Sequence, residues 1–294
     1  MLTVGVLRTS WSVAKQVGNS WLDDGVLSMG AALSYYTLFS LAPLLLIVIS
    51  LAGMVFGEDA ARGAIQSQLQ SLMGERAALA VQDLVASAHH PAEGAMATAI
   101  GVLLLLVGAT SVFGELQDAL DRIWRVPARS ASSGWITLLR SRLLSFGMIL
   151  AVGFLLVVSL VASASLAALG RWWESLLGGW LLLATLINDT LAFVLVAAMF
   201  AIIYKVMPRV HVAWRDVWIG AFFTAALFTL GKSLIGAYIG HSGVASVFGA
   251  AGTLVVILLW IYYSAQIFLI GATFTWVYAN ALGSRRVGND LTAG

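Results

Sequence analysis

Charged residues inside long apolar stretches are the side chains of this sequence best suited to chemistry. Asp189, with Asn188 beside it, and Lys232 each interrupt a stretch of mostly apolar residues. A charge in membrane hydrocarbon costs about 2.5–3.5 kcal/mol or more, so such residues pair with each other, line a cavity or bind a charged ligand. Three roles are open for Lys232: a structural ion pair with Asp189, a contact to an anionic headgroup, or extension to lipid phosphate at the membrane surface.

A second set of polar side chains lies in the first and last apolar stretches. Ser34, Tyr35 and Tyr36 precede Pro43, which removes a backbone hydrogen bond and is expected to kink a helix. Gln266 lies in the last apolar stretch. Two roles would account for polar side chains at these positions: hydrogen bonds between helices, or the polar lining of an inward-facing cavity. The first role is the commoner one in membrane proteins.

Signatures of catalysis and of metal binding are missing from the sequence. It contains no cysteine, which excludes disulfides, thiolate ligands and thiol nucleophiles. It also lacks the HExxH, GxSxG, phosphate-loop and dinucleotide-binding motifs. Glu115, Asp118 and Asp121 have the spacing of the wet face of an amphipathic helix rather than of a two-metal site. We therefore expect no enzymatic activity, no metal and no cofactor.

The composition is typical of a chain whose main solvent is lipid. Of its 294 residues, 60% are hydrophobic and only 10% are charged, whereas a soluble domain carries about 25% charged residues. The net charge of +2 provides no extended basic field, so we do not expect nucleic acid as a partner. Membrane lipids are the expected partners, and assembly of several copies is left open.

Six stretches are long and apolar enough to cross a bilayer, which takes about 20 residues. They are Val26–Phe56, Ala95–Phe113, Leu144–Leu169, Leu181–Val206, Val217–Gly240 and Val247–Ala279. The sequence thus predicts a single all-α integral membrane domain with six transmembrane helices plus amphipathic interfacial helices. The surface segments are residues 1–25 as a cytoplasmic amphipathic segment, 57–94 as an outer amphipathic loop and 114–143 as a basic cytoplasmic loop.

Lysine and arginine are unevenly distributed between the two sets of loops. With a cytoplasmic N-terminus, twelve of the 16 basic residues lie on the cytoplasmic side and three lie outside. This bias predicts a multi-pass protein of a bacterial inner membrane with both termini in the cytoplasm. Arg122, Arg125, Arg140 and Arg142 are candidate contacts for anionic lipid, although such arginines more often serve only to orient the protein.

Several segments resemble, in the same order, the signatures of the YihY/BrkB family of bacterial inner-membrane proteins. They are AALSYYTLFSLAPLLLIVIS (Ala31–Ser50), GATSVFGELQDALDRIWRV (Gly108–Val126), IYKVMPRVHVAWRDVWIGA (Ile203–Ala221), LGKSLIGAYI (Leu230–Ile239) and VFGAAGTLVVILLWIYYSAQIFLIGATFT (Val247–Thr275). The resemblance implies six transmembrane helices with cytoplasmic ends. Two positions depart from the family: Thr273 stands where glutamate is common, and Phe248 stands where tyrosine is common. The first departure weakens any proton-coupled mechanism inferred by analogy.

Three functions are compatible with these observations. The first is a transporter that moves or flips an anionic amphiphile or lipid, a role of which members of the resembled family have been suspected. Lys232, Asp189 and the polar first stretch motivate it. The second is a non-transporting scaffold that organises partners in the cell envelope. The third is a membrane-bound ribonuclease, a label once given to the family beside that of virulence factor, and the residues give it no physical support.

Both chain ends are predicted to lie on the cytoplasmic side. Green fluorescent protein fused to either terminus should fluoresce, while alkaline phosphatase fused at the same points should be inactive, because the phosphatase matures only outside the cytoplasm. An active phosphatase at either end would contradict the predicted orientation.

Overall fold

The computed structural model describes residues 2–88, 111–127, 180–241, 248 and 251–286, whose regular secondary structure is helical. The helices are α1 (Leu2–Asp23), α2 (Val26–Phe56), α3 (Glu58–Met73), α4 (Glu75–Ala88), α5 (the helical residues 111–123), α6 (Trp180–Val206), α7 (Trp214–His241) and α8 (Gly252–Ala281). The predicted all-α class is confirmed for this part of the chain.

Three helices of the described residues are long and apolar enough to cross a membrane. These segments are Asp189–Val206 in α6, Trp214–Ile239 in α7 and Leu254–Ala281 in α8. They coincide with the fourth, fifth and sixth predicted spans. Their length follows from the bilayer, because about 30 Å of hydrocarbon requires about 20 helical residues.

The other predicted spans are described only in part. The first coincides with α2, in which Val26–Leu41 is a shorter apolar helix, and the helix continues through Pro43 as one element. The stretch Ala95–Phe113 lies outside the described residues except for 111–113, and Leu144–Leu169 lies entirely outside them. Six spans therefore remain a prediction.

The main core lies where α2, α5, α6, α7 and α8 meet. Its fully buried large side chains include Leu120, Ile123, Tyr204, Val217 and Leu269. Between helices in lipid, dense packing and a few hydrogen bonds provide the attraction that water would otherwise supply. The contact between α7 and α8 shows both.

Two reciprocal pairs of glycine and threonine form the contact between α7 and α8, here called the glycine–threonine seam. A Cβ atom on Gly220 would overlap Thr275 Oγ1, and one on Gly271 would overlap Thr224 Oγ1. Each threonine hydroxyl donates at 2.7 Å to the carbonyl of the glycine four residues earlier on its own helix. The two backbones therefore approach closely, with no polar hydroxyl left unpaired.

Tyr204 joins α6 to this seam. Its side chain is fully buried, and its hydroxyl donates to the carbonyl of Phe268 at 2.7 Å. The same oxygen lies 3.0 Å from Thr224 Oγ1. The rings of Tyr204 and Phe268 also contact each other, with centroids 5.1 Å apart. Hydrogen bonds of this kind contribute about 0.6 kcal/mol each in membrane proteins, so Tyr204 helps to fix the position of α6.

The helices α3 and α4 pack at the end of the bundle where α7 ends and α8 begins. Gly57 and Gly74, with φ of 87° and 80°, make the turns before these helices in a conformation that glycine adopts at little cost. A second buried cluster forms here. Its members are Leu38, Met73, Ala77, Ala78, Ala80, Val81, Ile235, Ile239, Val256, Ile257, Trp260 and Ile261. The described part of the segment predicted as an outer amphipathic loop, residues 57–88, thus consists of two helices, and α4 contributes to the core.

Replacing Gly220 with alanine should destabilise the protein, because the added methyl group overlaps Thr275 in the glycine–threonine seam. Overpacking of this kind typically costs about 1–3 kcal/mol. Thermal unfolding of the purified protein in detergent, followed by circular dichroism, should show a lower Tm.

The matched control is Gly236→Ala on the same helix, where no atom lies within 4 Å of the added Cβ. Its Tm should be unchanged or slightly higher, since alanine favours helix over glycine. Equal melting temperatures for the two variants would show that the seam is not tightly packed.

Candidate functional site

Polar side chains converge at the end of the bundle where α2 and α7 begin and where α6 and α8 end. They belong to the turn between α1 and α2, to α5 and its following turn, and to the loop between α6 and α7. We call five of them the α5 cluster: Asp24, Gln117, Asp121, Arg125 and Arg209. The helix α5 lies at its centre because its other face is inserted into the core.

The apolar face of α5 fills the space between the other helices at this end. Leu120 and Ile123 are fully buried and Trp124 is 3% exposed. They share one buried cluster with Val26 at the start of α2 and Val217 in the first turns of α7. The amphipathic pattern of the sequence thus places α5 with one side in the bundle and the other toward solvent.

Asp121 joins α5 to the loop between α6 and α7. Its Oδ1 accepts a hydrogen bond from the backbone N–H of Arg209 at 2.8 Å, and its Oδ2 lies 3.2 Å from Arg209 Nη1. The carboxylate is 11% exposed, whereas the arginine side chain is 51% exposed. Burial raises the pKa of Asp121, and the backbone hydrogen bond and charge of Arg209 oppose the rise.

Gln117 strengthens the same connection one helical turn earlier. Its amide nitrogen donates to the carbonyl of Met207 at 3.0 Å, and its amide oxygen accepts from Arg209 Nη2 at 3.2 Å. Gln117 and Asp121 therefore hold the side chain and backbone of Arg209 together, which fixes the loop against α5.

Arg125 joins the turn after α5 to the turn between α1 and α2. Its Nη2 lies 3.1 Å from Asp24 Oδ1, and its guanidinium carbon lies 5.2 Å from the centre of the Trp276 ring. Arg125 has a φ of 54°, a left-handed conformation that costs a non-glycine residue about 1–2 kcal/mol. Burial raises the pKa of Asp24, against the opposing charge of Arg125. The contacts with Asp24 and Trp276 hold this strained residue in place.

The turn after α8 folds back onto the first turn of α7. Ser284 donates to Asp216 Oδ2 from its backbone nitrogen, at 3.1 Å, and from its hydroxyl. The Asp216 side chain is buried, and a Cβ on Gly283 would lie 2.6 Å from its Oδ1. A carboxylate in the first turn of a helix also interacts favourably with the helix dipole. Asp216 thus anchors the end of the described chain.

Cations over tryptophan rings border the α5 cluster. The Arg285 guanidinium lies 5.2 Å from the Trp124 ring centre, and its Nη2 donates to the carbonyl of His211 at 2.6 Å. Lys205 Nζ lies 5.4 Å from the centre of the Trp214 ring. Tryptophan beside lysine or arginine is typical of the boundary between membrane and water.

Two of the predicted site residues come together where α2 contacts α8. Gln266 is 9% exposed, and its amide nitrogen lies 3.4 Å from the Val26 carbonyl and 3.5 Å from that of Leu27. Its amide oxygen is buried without a hydrogen-bond partner among the described residues. Ser34 donates at 2.7 Å to the carbonyl of Gly30, where a Cβ would overlap the Gln266 amide. These contacts favour an interhelical role for Gln266.

The remaining residues predicted in the spans lie apart from this contact. Tyr35 and Tyr36 are 58% and 39% exposed on α2, with their ring centroids 5.7 Å apart. Asp189 is exposed on α6 and Lys232 is half-buried on α7, while the side chain of Asn188 lies outside the described part. The pairing of Asp189 with Lys232 stays a prediction.

The predicted lipid contacts are divided between described and undescribed segments. Arg122 and Arg125 are exposed at the end of α5, whereas Arg140 and Arg142 lie outside the described residues. Thr273, at the position where glutamate is common in the resembled family, is fully buried and donates to the carbonyl of Leu269 at 2.9 Å.

Sequence reasoning missed the role of Asp121. The expectation that it lies on a wet helix face is wrong, since it is only 8% exposed and its partner Arg209 comes from a distant loop. Its position four residues after Gln117 and next to Leu120 was the signal that it borders the buried face. Within the described part of the chain, acidic residues and histidines form no group of three or more suited to hold a metal ion.

Comparison with known proteins gives one family. The family model described as virulence factor BrkB matches residues 17–292. The UPF0761 membrane protein of Pseudomonas paraeruginosa is 30% identical over 266 residues, which cover 88% of this chain and 61% of that protein. That of Alkalilimnicola ehrlichii is 28% identical over 292 residues, covering 98% and 62%. The chain spans about three fifths of the length of these relatives. No solved structure matches.

Replacing Asp121 with alanine should loosen α5 from the loop between α6 and α7. The part-buried backbone N–H of Arg209 loses its acceptor, and an unsatisfied buried polar group costs about 1–3 kcal/mol. Thermal unfolding in lipid nanodiscs should show a lower Tm for this variant. Asp118→Ala, which removes an exposed carboxylate from the same helix, should melt like the unchanged protein. An equal fall in Tm for both variants would show that the contacts of Asp121 contribute no more to stability than the exposed carboxylate of Asp118.

Proposed function

We propose that this chain, which belongs to the virulence factor BrkB family, is a transporter that moves or flips an anionic amphiphile or lipid across the bacterial inner membrane. The observation that carries the proposal is a pair of opposite charges, Asp189 and Lys232, within two of the helices long enough to span a membrane. Membrane hydrocarbon tolerates such charges only where water, a partner or a ligand meets them, so they usually mark a functional path.

The two charges lie at similar depths on neighbouring antiparallel helices. With about 1.5 Å of rise per residue, Asp189 lies roughly 25 Å from the Val206 end of α6, and Lys232 lies roughly 27 Å from the Trp214 end of α7. Both distances are within the hydrocarbon thickness of about 30 Å. Asp189 is exposed on the helix surface, and a carboxylate in contact only with acyl chains would be unstable. This supports a water-accessible path beside α6 and α7.

The side chains that the proposal assigns to the substrate suit an amphiphile with an anionic head. Lys232 provides a positive charge, and its half-buried position lets the apolar stem lie along the helix while the ammonium group reaches a polar region. The exposed Tyr35 and Tyr36 on α2 each offer an apolar ring with a hydroxyl at its tip. Such residues can contact an acyl chain and a headgroup at the same time.

In this role the chain lies with both termini in the cytoplasm and carries out no catalysis. The excess of basic residues in one set of loops supports cytoplasmic termini, with the α5 cluster on the cytoplasmic side. The carboxylates Asp24, Asp121 and Asp216 each accept structural hydrogen bonds or ion pairs. We therefore assign these carboxylates a structural role, which is to stabilise the contacts between elements at the cytoplasmic end.

Replacing Lys232 with alanine should suppress lipid movement. Purified protein is reconstituted in liposomes with fluorescent NBD-phosphatidylglycerol, and dithionite is added to quench the label that reaches the outer leaflet. The flipping rate should fall about tenfold or more, since a hydrogen bond to a charged group contributes about 1.5–3 kcal/mol. Lys15→Ala, which removes an exposed lysine from α1, should keep the original rate.

Thermal unfolding of each variant distinguishes loss of the site from loss of the fold. Unchanged flipping by Lys232→Ala would reject Lys232 as part of the path. The absence of flipping by the unchanged protein, for NBD-phosphatidylglycerol and for NBD-phosphatidylcholine, would reject transport of these lipids and favour the non-transporting scaffold.

A further inference from the structure

We infer that Arg125 and Arg209 each bind the phosphate of an anionic phospholipid at the α5 end of the bundle, which displaces Asp24 and Asp121 and releases α5. We call the ion pairs Arg125–Asp24 and Arg209–Asp121 the two latches. The inference rests on the proposed function, because it assigns to α5 the control of cytoplasmic access to the path.

In both latches the arginine is open to its surroundings and the carboxylate is not. Arg125 and Arg209 are each 51% exposed, against 7% for Asp24 and 11% for Asp121. A guanidinium group has five N–H donors in a planar fork that matches phosphate as well as carboxylate. A phosphate can therefore approach the exposed side of either arginine while the carboxylate still occupies the other side.

A phosphate can compete with the carboxylates for the two arginines. Burial destabilises the charged form of both carboxylates, which is why the pKa of Asp24 and that of Asp121 are raised. The desolvation of a buried carboxylate offsets much of the Coulomb attraction to its arginine. A lipid phosphate at the exposed side keeps most of its hydration. The displaced carboxylates must become hydrated as α5 leaves, because a buried carboxylate without its cation is strongly destabilised.

The surroundings of the arginines point to lipid as the source of the phosphate. Arg125 lies over the Trp276 ring, and the neighbouring Arg285 lies over the Trp124 ring. Trp214, which is 50% exposed, lies beneath Lys205. Tryptophan rings concentrate at the level of lipid headgroups. The two latches are thus at the height where phospholipid phosphates occur.

Release of the latches, once the Gln117 contacts to Met207 and Arg209 also break, would free a helix whose apolar face fills the end of the bundle. Leu120, Ile123 and Trp124 share a buried cluster with Val26, whose carbonyl lies 3.4 Å from the amide nitrogen of Gln266. Withdrawal of α5 would open this region, including the unpaired oxygen of Gln266. It would also let Arg125 leave its left-handed conformation, which favours the released state.

Distances between two spin labels can test the release directly. The chain has no cysteine, so labels attach only at introduced Gly114→Cys on α5 and Arg215→Cys on α7. Both positions are exposed, and no atom lies within 4 Å of a Cβ at Gly114. The distance between the labels is measured by pulsed electron–electron double resonance in three samples. These are nanodiscs of phosphatidylcholine, nanodiscs that also contain phosphatidylglycerol, and phosphatidylcholine nanodiscs with added inorganic phosphate.

Phosphatidylglycerol should add a population of molecules in which the two labels lie farther apart. Arg125→Gln/Arg209→Gln should give the same distribution of label distances in both lipids. The control Asp23→Asn/Asp118→Asn, which neutralises exposed carboxylates next to the latches, should respond like the unchanged protein. Arg125→Lys/Arg209→Lys keeps the charge without the planar fork. It should retain a weaker response, which guards against misfolding of the glutamine variant.

An identical distribution in both lipids for the unchanged protein would overturn the inference, as would a response that persists in the glutamine variant. A response to inorganic phosphate alone would overturn the assignment to lipid. These distances do not depend on flipping. Release of α5 without flipping would support release by lipid phosphate but reject the transporter, and with it the control of access by α5. Flipping without release would support the transporter and overturn the inference.

Discussion

The cost of removing a charge from water is the constraint on which the rest of this structure depends. In the described spans most residues are apolar, and the threonine hydroxyls are satisfied locally by carbonyls of their own helices. Ionic groups concentrate at the end where α5 lies, and there each buried carboxylate has an assigned cation or donor. Asp189 and Lys232 depart from this pattern because they lie along the spans themselves, and for that reason they are central to the proposed path.

The helix α5 connects the two regions through its two faces. One face adds Leu120 and Ile123 to the core, and the other carries Gln117 and Asp121, which hold the loop between α6 and α7. Removing either set of contacts would affect the other, because an amphipathic helix that loses its polar partners also loses its orientation in the core. A single short element thus connects the polar contacts at this end to the packing of the bundle.

The sequence was sufficient for the helices but not for their polar contacts. The spans in α6, α7 and α8 could be predicted because bilayer thickness imposes a length of apolar residues that few other constraints produce. The latches could not, because Arg209 meets Asp121 across 88 residues of sequence and neither residue is unusual in its own segment. The burial of Asp121 depends on where α5 inserts, which helical periodicity alone leaves open. Gln266 was identified as a polar residue of its span, but only the packing of α8 on α2 shows that its amide contacts the carbonyls of Val26 and Leu27.

The glycine–threonine seam also restricts how α7 and α8 can move. Sliding one helix along the other by one turn would bring Thr224 opposite Thr275 in one direction, and two methyl-bearing side chains would collide. In the other direction it would leave Gly220 opposite Gly271, with an unfilled gap between the backbones. Neither alternative register is stable in a close-packed interior. The seam therefore favours movement of α7 and α8 together as one unit rather than sliding of one along the other.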